Sequence, residues 1–197
     1  MIDATILDEI YAFLEDEFKD NQERLKHIKN VEKVSLSLAS IYGLDETKVR
    51  IASLLHDATK NRSNKENSLI ASSIYSREEL KNAPLPCMHA YSAAVLAKEK
   101  FLIEDEDILN SIIYHCSGRK NMSMLEKVIY VSDFIEESRD FVSEDLRGKA
   151  FKSLDLTVYE IMIITKKYLE RNKKVISPMT LEAIEYYKNL VLEELND

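Results

Sequence analysis

The chain has 197 residues, 45% hydrophobic and 31% charged, with only 3 Gly and 3 Pro. That composition supplies a real core but not the turn formers that an all-β fold consumes, so the class is all-α. A formal net charge of −8 argues against a general nucleic-acid binder, because an acidic surface repels phosphate backbones. A small anionic substrate stays open, since a bound metal reverses the local sign. No apolar stretch reaches the roughly 20 residues of a membrane span, and the N-terminus MIDATILDEI carries acids where a signal peptide carries positive charge. Cys87 and Cys116 make no disulfide framework. The expected home is the reducing cytoplasm.

In chain order, the apolar spacing predicts a first helix from about Thr5 to Phe18. A second runs from about Gln22 to Tyr42 and stops at Gly43. Asp45 caps a third, which reaches His56 and Asp57. The polar stretch from Asn61 to Asn67 reads as a loop. Ser76 with Glu79 forms a capping box for a short helix, and Pro84 and Pro86 break the chain before a helix beginning near His89. Another helix spans about Asp105 to His115. Ser123 with Glu126 opens the helix that carries Asp133. A long helical segment from about Glu144 to Arg171 follows, and Ser177–Pro178 starts the last helix. No repeat or linker divides the chain. It reads as one domain over residues 1–197, with a core over about 20–140 and a helical extension over about 144–197.

All four histidines continue apolar stripes. His27 shares a face with Val31, Val34, Leu38 and Ile41, and His56 with Val49 and Ala52. His89 lies with Ala93 and Leu96, and His115 with Ile108 and Ile112. Asp133 sits inside VIYVSDFI, and Asp57 directly follows His56. Each alone has a plain structural explanation, such as a hydrogen-bonded core histidine or an Asp133 paired with Arg139. Together they pose one problem: isolated buried charges cost several kcal/mol or neutralise themselves. A divalent metal resolves it, because imidazole nitrogen and carboxylate oxygen are its ligands. His27, His56, Asp57 and Asp133 would hold a first ion. His89 and His115 would hold a second beside it, bridged by Asp57. The donor set accepts iron, manganese, cobalt, nickel or zinc.

The order His27, His56–Asp57, Asp133 resembles the HD superfamily of metal phosphohydrolases. The segments RLKH ending at His27, LLHDATK around His56, YHCSGRKNMSMLEKVIYVSDFIEESRDF from Tyr114 to Phe141, and the tail KKVISPMTLEAIEYY narrow the likeness. They are similar to the bacterial YqeK-type family, symmetrical diadenosine tetraphosphate hydrolases that release two ADP from a di-iron centre. The resemblance implies an HD-domain helical bundle with C-terminal helices packed on it. It implies the metal ligands named above and a nucleotide pocket lined by Arg24, His89, His115, Cys116, Arg139 and Pro178. Three residues depart from the family pattern: Cys116 replaces a hydroxyl residue, Glu137 replaces a proline, and Ser132 replaces a small apolar residue. The second change predicts looser backbone leading to Arg139.

In such a site Asp57 is the central catalytic carboxylate. Lys60, a turn beyond, could neutralise charge on the phosphate or leaving group. Arg24 lies one turn before His27, within reach of an anion. Arg139 suits bidentate phosphate binding. Arg119 and Lys120 read more simply as solvent-facing charges. The resemblance makes a nucleotide and its ADP product the expected partners, with no nucleic acid and no membrane. A homodimer is open through the apolar surface of the segment from Glu144. Two rival functions share these residues: another HD phosphohydrolase acting on nucleotides, and a metal- and ADP-binding protein without turnover. No GYP-like segment follows the His-Asp pair, which argues against a cyclic-dinucleotide phosphodiesterase.

Overall fold

The computed structural model describes residues 4–81 and 83–194, and every regular element among them is helical. The helices are α1 (Ala4–Glu17), α2 (Gln22–Tyr42), α3 (Glu46–Leu55), α4 (Asn64–Ala71), α5 (Arg77–Leu80) and α6 (Met88–Phe101). They continue with α7 (Glu106–Tyr114), α8 (Met124–Ile135), α9 (Glu144–Ala150), α10 (Leu154–Arg171) and α11 (Pro178–Glu194). Local chemistry sets their ends. Gly43 closes α2 at φ 69°, a left-handed conformation that costs other residues ~1–2 kcal/mol. Asp45 caps Lys48 N at the start of α3, and Ser76–Glu79 and Ser123–Glu126 form reciprocal capping boxes.

Three stretches differ from the sequence reading. The expected loop over residues 61–67 is half helix, because Ser63 and Glu66 make a further capping box that starts α4. The long segment after Glu144 is two helices. Lys152 N and Ser153 N both return to Lys149 O, and Ser153 then caps Leu156 N to start α10. Finally α3 ends at Leu55, so His56 and Asp57 lie just past it. On α2, His27, Val31 and Leu38 are buried as expected, but Ile41 is 54% exposed because the stripe drifts off the core near the helix end.

Two apolar clusters share α2 and α8. One gathers Ile10 and Leu14 of α1 and Phe18 just past it with Ile28 of α2, Leu54 of α3, Ile108 of α7 and Ile129 of α8. The other joins Leu38 of α2 and Val131 of α8 to Leu146 of α9, Met162 of α10 and Tyr187 of α11. The C-terminal helices are therefore packed on the bundle. Fully burying a large apolar side chain contributes ~1.5–3 kcal/mol, and Tyr187 keeps that gain because its hydroxyl accepts Met122 N–H at 3.0 Å. At the other end, the Tyr11 hydroxyl and Arg50 both donate to Glu32, tying α1 and α3 to α2. No helix among the described residues is long and apolar enough to cross a membrane.

Candidate active site

The seam between the two clusters is where the titratable residues converge. His27 projects from the second turn of α2, and Asp133 from the end of α8. His89 lies in the first turn of α6, and His115 immediately follows α7. After α3 the chain tightens: Ala58 N bonds to Leu55 O and Lys60 N to Asp57 O, three residues back rather than four. This turn, not a continuing helix, brings the consecutive His56 and Asp57 to one centre. Gly118 ends the corresponding turn after α7 at φ 61°. A side chain there would start 2.5 Å from the Met162 methyl carbon, which a turn of that flexible side chain can relieve, so the positive φ is what favours glycine.

The two oxygens of Asp57 face different partners. Oδ2 lies 3.7 Å from His56 Nε2, 3.8 Å from His27 Nε2 and 2.7 Å from Arg24 Nη1. Asp133 Oδ1 completes that side, 3.1 Å from His27 Nε2 and 4.0 Å from His56 Nε2. Oδ1 of Asp57 lies 3.1 Å from His89 Nε2 and 3.6 Å from His115 Nε2, and these two nitrogens are 3.3 Å apart. Candidate ligand atoms of His27, His56 and Asp57 lie within 4.8 Å of one another, as do those of His89, His115 and Cys116.

Outer partners determine which imidazole nitrogen carries hydrogen. Nδ1 of His56, His89 and His115 faces the carbonyls of Ser53 at 2.6 Å, Pro86 at 2.8 Å and Ile112 at 2.7 Å. Nδ1 of His27 faces Glu136 Oε1 at 3.1 Å. In its neutral form an imidazole that donates from Nδ1 has only a lone pair at Nε2, so each of the four can turn one inward, His115 only after it gives up a proton. His27 Nε2, His56 Nε2 and Asp57 Oδ1 are buried with no hydrogen-bond partner. Inward lone pairs beside carboxylate oxygens are the donor set of a divalent cation, and outer acceptors on Nδ1 are what such ligands use. The residues fit the metal.

Burial pushes His56 down to about 3, which keeps it neutral. Burial opposes charge on Asp57 as well, yet His56, His115, His89 and Lys60 hold its carboxyl well below the usual range. Burial also works against His115, but Asp57, Cys116 and Asp133 together raise it to about 9. Glu136 is buried too, and hydrogen bonds from Ser138, Asn30 and His27 lower it to about 2.

The remaining sequence candidates sort by position. Arg24 reaches Asp57, and Arg139 Nη2 reaches Asp133 Oδ1 at 2.9 Å. Lys60 Nζ lies 3.0 Å from His89 Nε2 and 3.8 Å from Asp57 Oδ1. Cys116 adjoins the His89–His115 pair. Pro178 lines a cavity of about 690 Å³ with Tyr75, Tyr91, Tyr114 and Glu182, and none of the four histidines is among its lining residues. Arg119 pairs with both oxygens of Glu126 and stacks on Tyr114, and Lys120 pairs with Glu182. The sequence reading missed Glu136, the carboxylate behind His27, although an acid three residues past Asp133 was there to be noticed. It also missed Arg147. That guanidinium donates to the carbonyls of Ile135, Glu136, Arg139 and Val142, so the backbone expected to be looser is tied down.

A family model for the HD domain matches residues 24–184, a span that contains every residue of this cluster. The chain belongs to the HD-domain family. The chain is 32% identical over 88% of its length to a symmetrical bis(5'-nucleosyl)-tetraphosphatase of Halalkalibacterium halodurans, covering 91% of that protein. It is 33% identical over 81% of its length to the protein of the same name from Bacillus subtilis, covering 86% of it. It also matches a crystal structure from Clostridium acetobutylicum, described as a predicted HD superfamily hydrolase involved in NAD metabolism. That match has a TM-score of 0.84 and 32% identity, and covers 92% of this chain and 96% of that one.

Proposed function

We propose that the protein hydrolyses diadenosine tetraphosphate at its central phosphoanhydride, releasing two molecules of ADP. The observation that carries this reading is the 32% identity, over nine-tenths of the relative's length, to a hydrolase named for symmetrical cleavage. His27, His56, Asp133 and Asp57 Oδ2 would hold one divalent ion, and His89, His115 and Asp57 Oδ1 a second. Iron is the expected metal, although manganese, cobalt, nickel or zinc suits the same donors. When bound, the metal supplies a Lewis acid for a phosphate oxygen and a water acidic enough to ionise near neutral pH.

The chain's own residues do the rest. Glu136 and the carbonyls of Ser53, Pro86 and Ile112 hold protons on Nδ1, so Nε2 is the nitrogen each imidazole turns to the metal. Arg24 and Arg139 each carry five donors and spend only some on Asp57, Asp133 and Glu136, leaving others for phosphate oxygens. Lys60, beside His89, neutralises charge as one ADP departs. The reading places the protein in the cytoplasm with its nucleotide substrate. The test is anaerobic turnover of diadenosine tetraphosphate by iron-loaded protein, with products resolved by ion exchange and Asp57→Ala as control. ADP as sole product, lost in the variant, is expected. ATP plus AMP, or no turnover by metal-loaded protein, overturns the substrate assignment.

A further inference from the structure

Cys87 directly precedes α6 and Cys116 lies two residues beyond α7. Folding brings their sulfurs to 3.0 Å, and both are free thiols. This is longer than the roughly 2.05 Å of a disulfide bond and within reach of an S–H···S hydrogen bond from Cys87 to Cys116. Cys87 is buried and Cys116 is partly buried, so the oxidant that reaches the pair is a small one. The hydrolytic reading gives the pair no task.

Its neighbours show what closing it would move. Cys87 is two residues before His89, and Cys116 directly follows His115. Bonding the sulfurs draws them together by about 1 Å, and whatever the two cysteine side chains do not absorb passes to the backbone beside His89 and His115. Well-formed metal sites hold their ligands within about ±0.2 Å of ideal distances.

We propose that Cys87 and Cys116 form a dithiol modification site, closed into an intramolecular disulfide by an oxidant of the peroxide class, and that closure weakens metal binding at His89 and His115. The coupling rests on the metal role proposed above for these histidines; the disulfide itself does not. The sulfur that reacts first attacks a peroxide oxygen and breaks the O–O bond, becoming a sulfenic acid while the other oxygen leaves as water. The second thiol then attacks that sulfur and displaces a second water. Two thiols lose two protons and two electrons in all, and one peroxide is reduced to two waters. A dithiol reductant reverses the bond by thiol–disulfide exchange.

The experiment uses full-length protein loaded with manganese, so that no ferrous iron consumes the oxidant. It is treated with a small excess of hydrogen peroxide, alkylated and mapped by mass spectrometry without reduction, with manganese binding measured in parallel. A cross-linked peptide pair containing Cys87 and Cys116 is expected, with both thiols lost and both recovered by dithiothreitol. Manganese affinity should fall several-fold in the bridged protein and stay unchanged in peroxide-treated Cys87→Ser. Overoxidised Cys116 beside a free Cys87, bridges between chains, or untouched thiols would overturn the site. A Cys87–Cys116 bridge with unaltered manganese affinity overturns the coupling. Failure of the reduced protein to bind manganese overturns the metal role of the histidines and leaves the disulfide standing. Neither readout measures turnover, so the outcome is separable from that of the substrate assay.

Discussion

His27 Nδ1 and Glu136 Oε1 lie 3.1 Å apart across 109 residues of sequence. Glu136 also accepts from Asn30 at 2.9 Å and from Ser138 N at 2.8 Å, so a wholly buried carboxylate is satisfied and orients a candidate metal ligand at the same time. Glu136→Gln keeps the volume but removes the charge and cannot accept all these bonds. Metal affinity should fall ~10–100-fold, the usual cost of losing such a partner, as read by equilibrium metal titration. Its pKa of about 2 lies below the model-peptide value of 4.5. The wild type therefore holds the associated stability above pH 4.5 and loses up to ~3 kcal/mol as pH falls toward 2. Acid titrations of stability that run parallel in the two proteins would contradict this account.

Arg147 satisfies four backbone carbonyls between Ile135 and Val142, the segment that presents Arg139. Arg147→Met fills similar space without donors. Leaving buried carbonyls unpaired costs ~1–3 kcal/mol each, and part of that is relieved by solvent here, so a net loss of ~2–4 kcal/mol is expected in denaturant melts. Since Arg139 is freed with the segment, KM for the nucleotide should rise several-fold more than kcat falls. A variant with wild-type stability and KM would show that the clamp is idle.

Metal binding should depend on pH through His115, whose pKa in the metal-free protein is about 9. An incoming ion must displace that proton, so apparent affinity should rise about tenfold per pH unit below 9 and then flatten. Stability changes in the opposite direction. The folded pKa exceeds the value of 6.5 in the unfolded chain, so metal-free protein keeps this stabilisation below pH 6.5 and loses it as pH rises through 9. Scanning calorimetry of chelator-treated and metal-loaded samples across that window reads both effects. A metal-free Tm that stays level from pH 6.5 to 9 would remove His115 as the titrating group.

Much of this was legible in the chain because it is local. A helical repeat of 3.6 residues decides which side chains share a face, so the burial of His27, His56, His89 and His115 could be read from their apolar neighbours. Helix starts were legible wherever a Ser or Asp cap was noticed, and Ser63–Glu66 was missed although its spacing matches the other boxes. The same local logic overreached at Asp57, which was expected on α3 but lies in the tight turn beyond it.

The sequence by itself determined an all-helical chain and the set of buried histidines and aspartates, since caps and periodicity act within a few residues. Only the tertiary structure decided that Asp57 turns one oxygen toward His27 and His56 and the other toward His89 and His115. It alone set Glu136 behind His27, Arg147 across its four carbonyls, and Cys116 against Cys87. Those contacts join residues that no local rule relates. They exist because the two apolar clusters share α2 and α8, and packing both clusters draws the titratable ends of five helices into the seam between them.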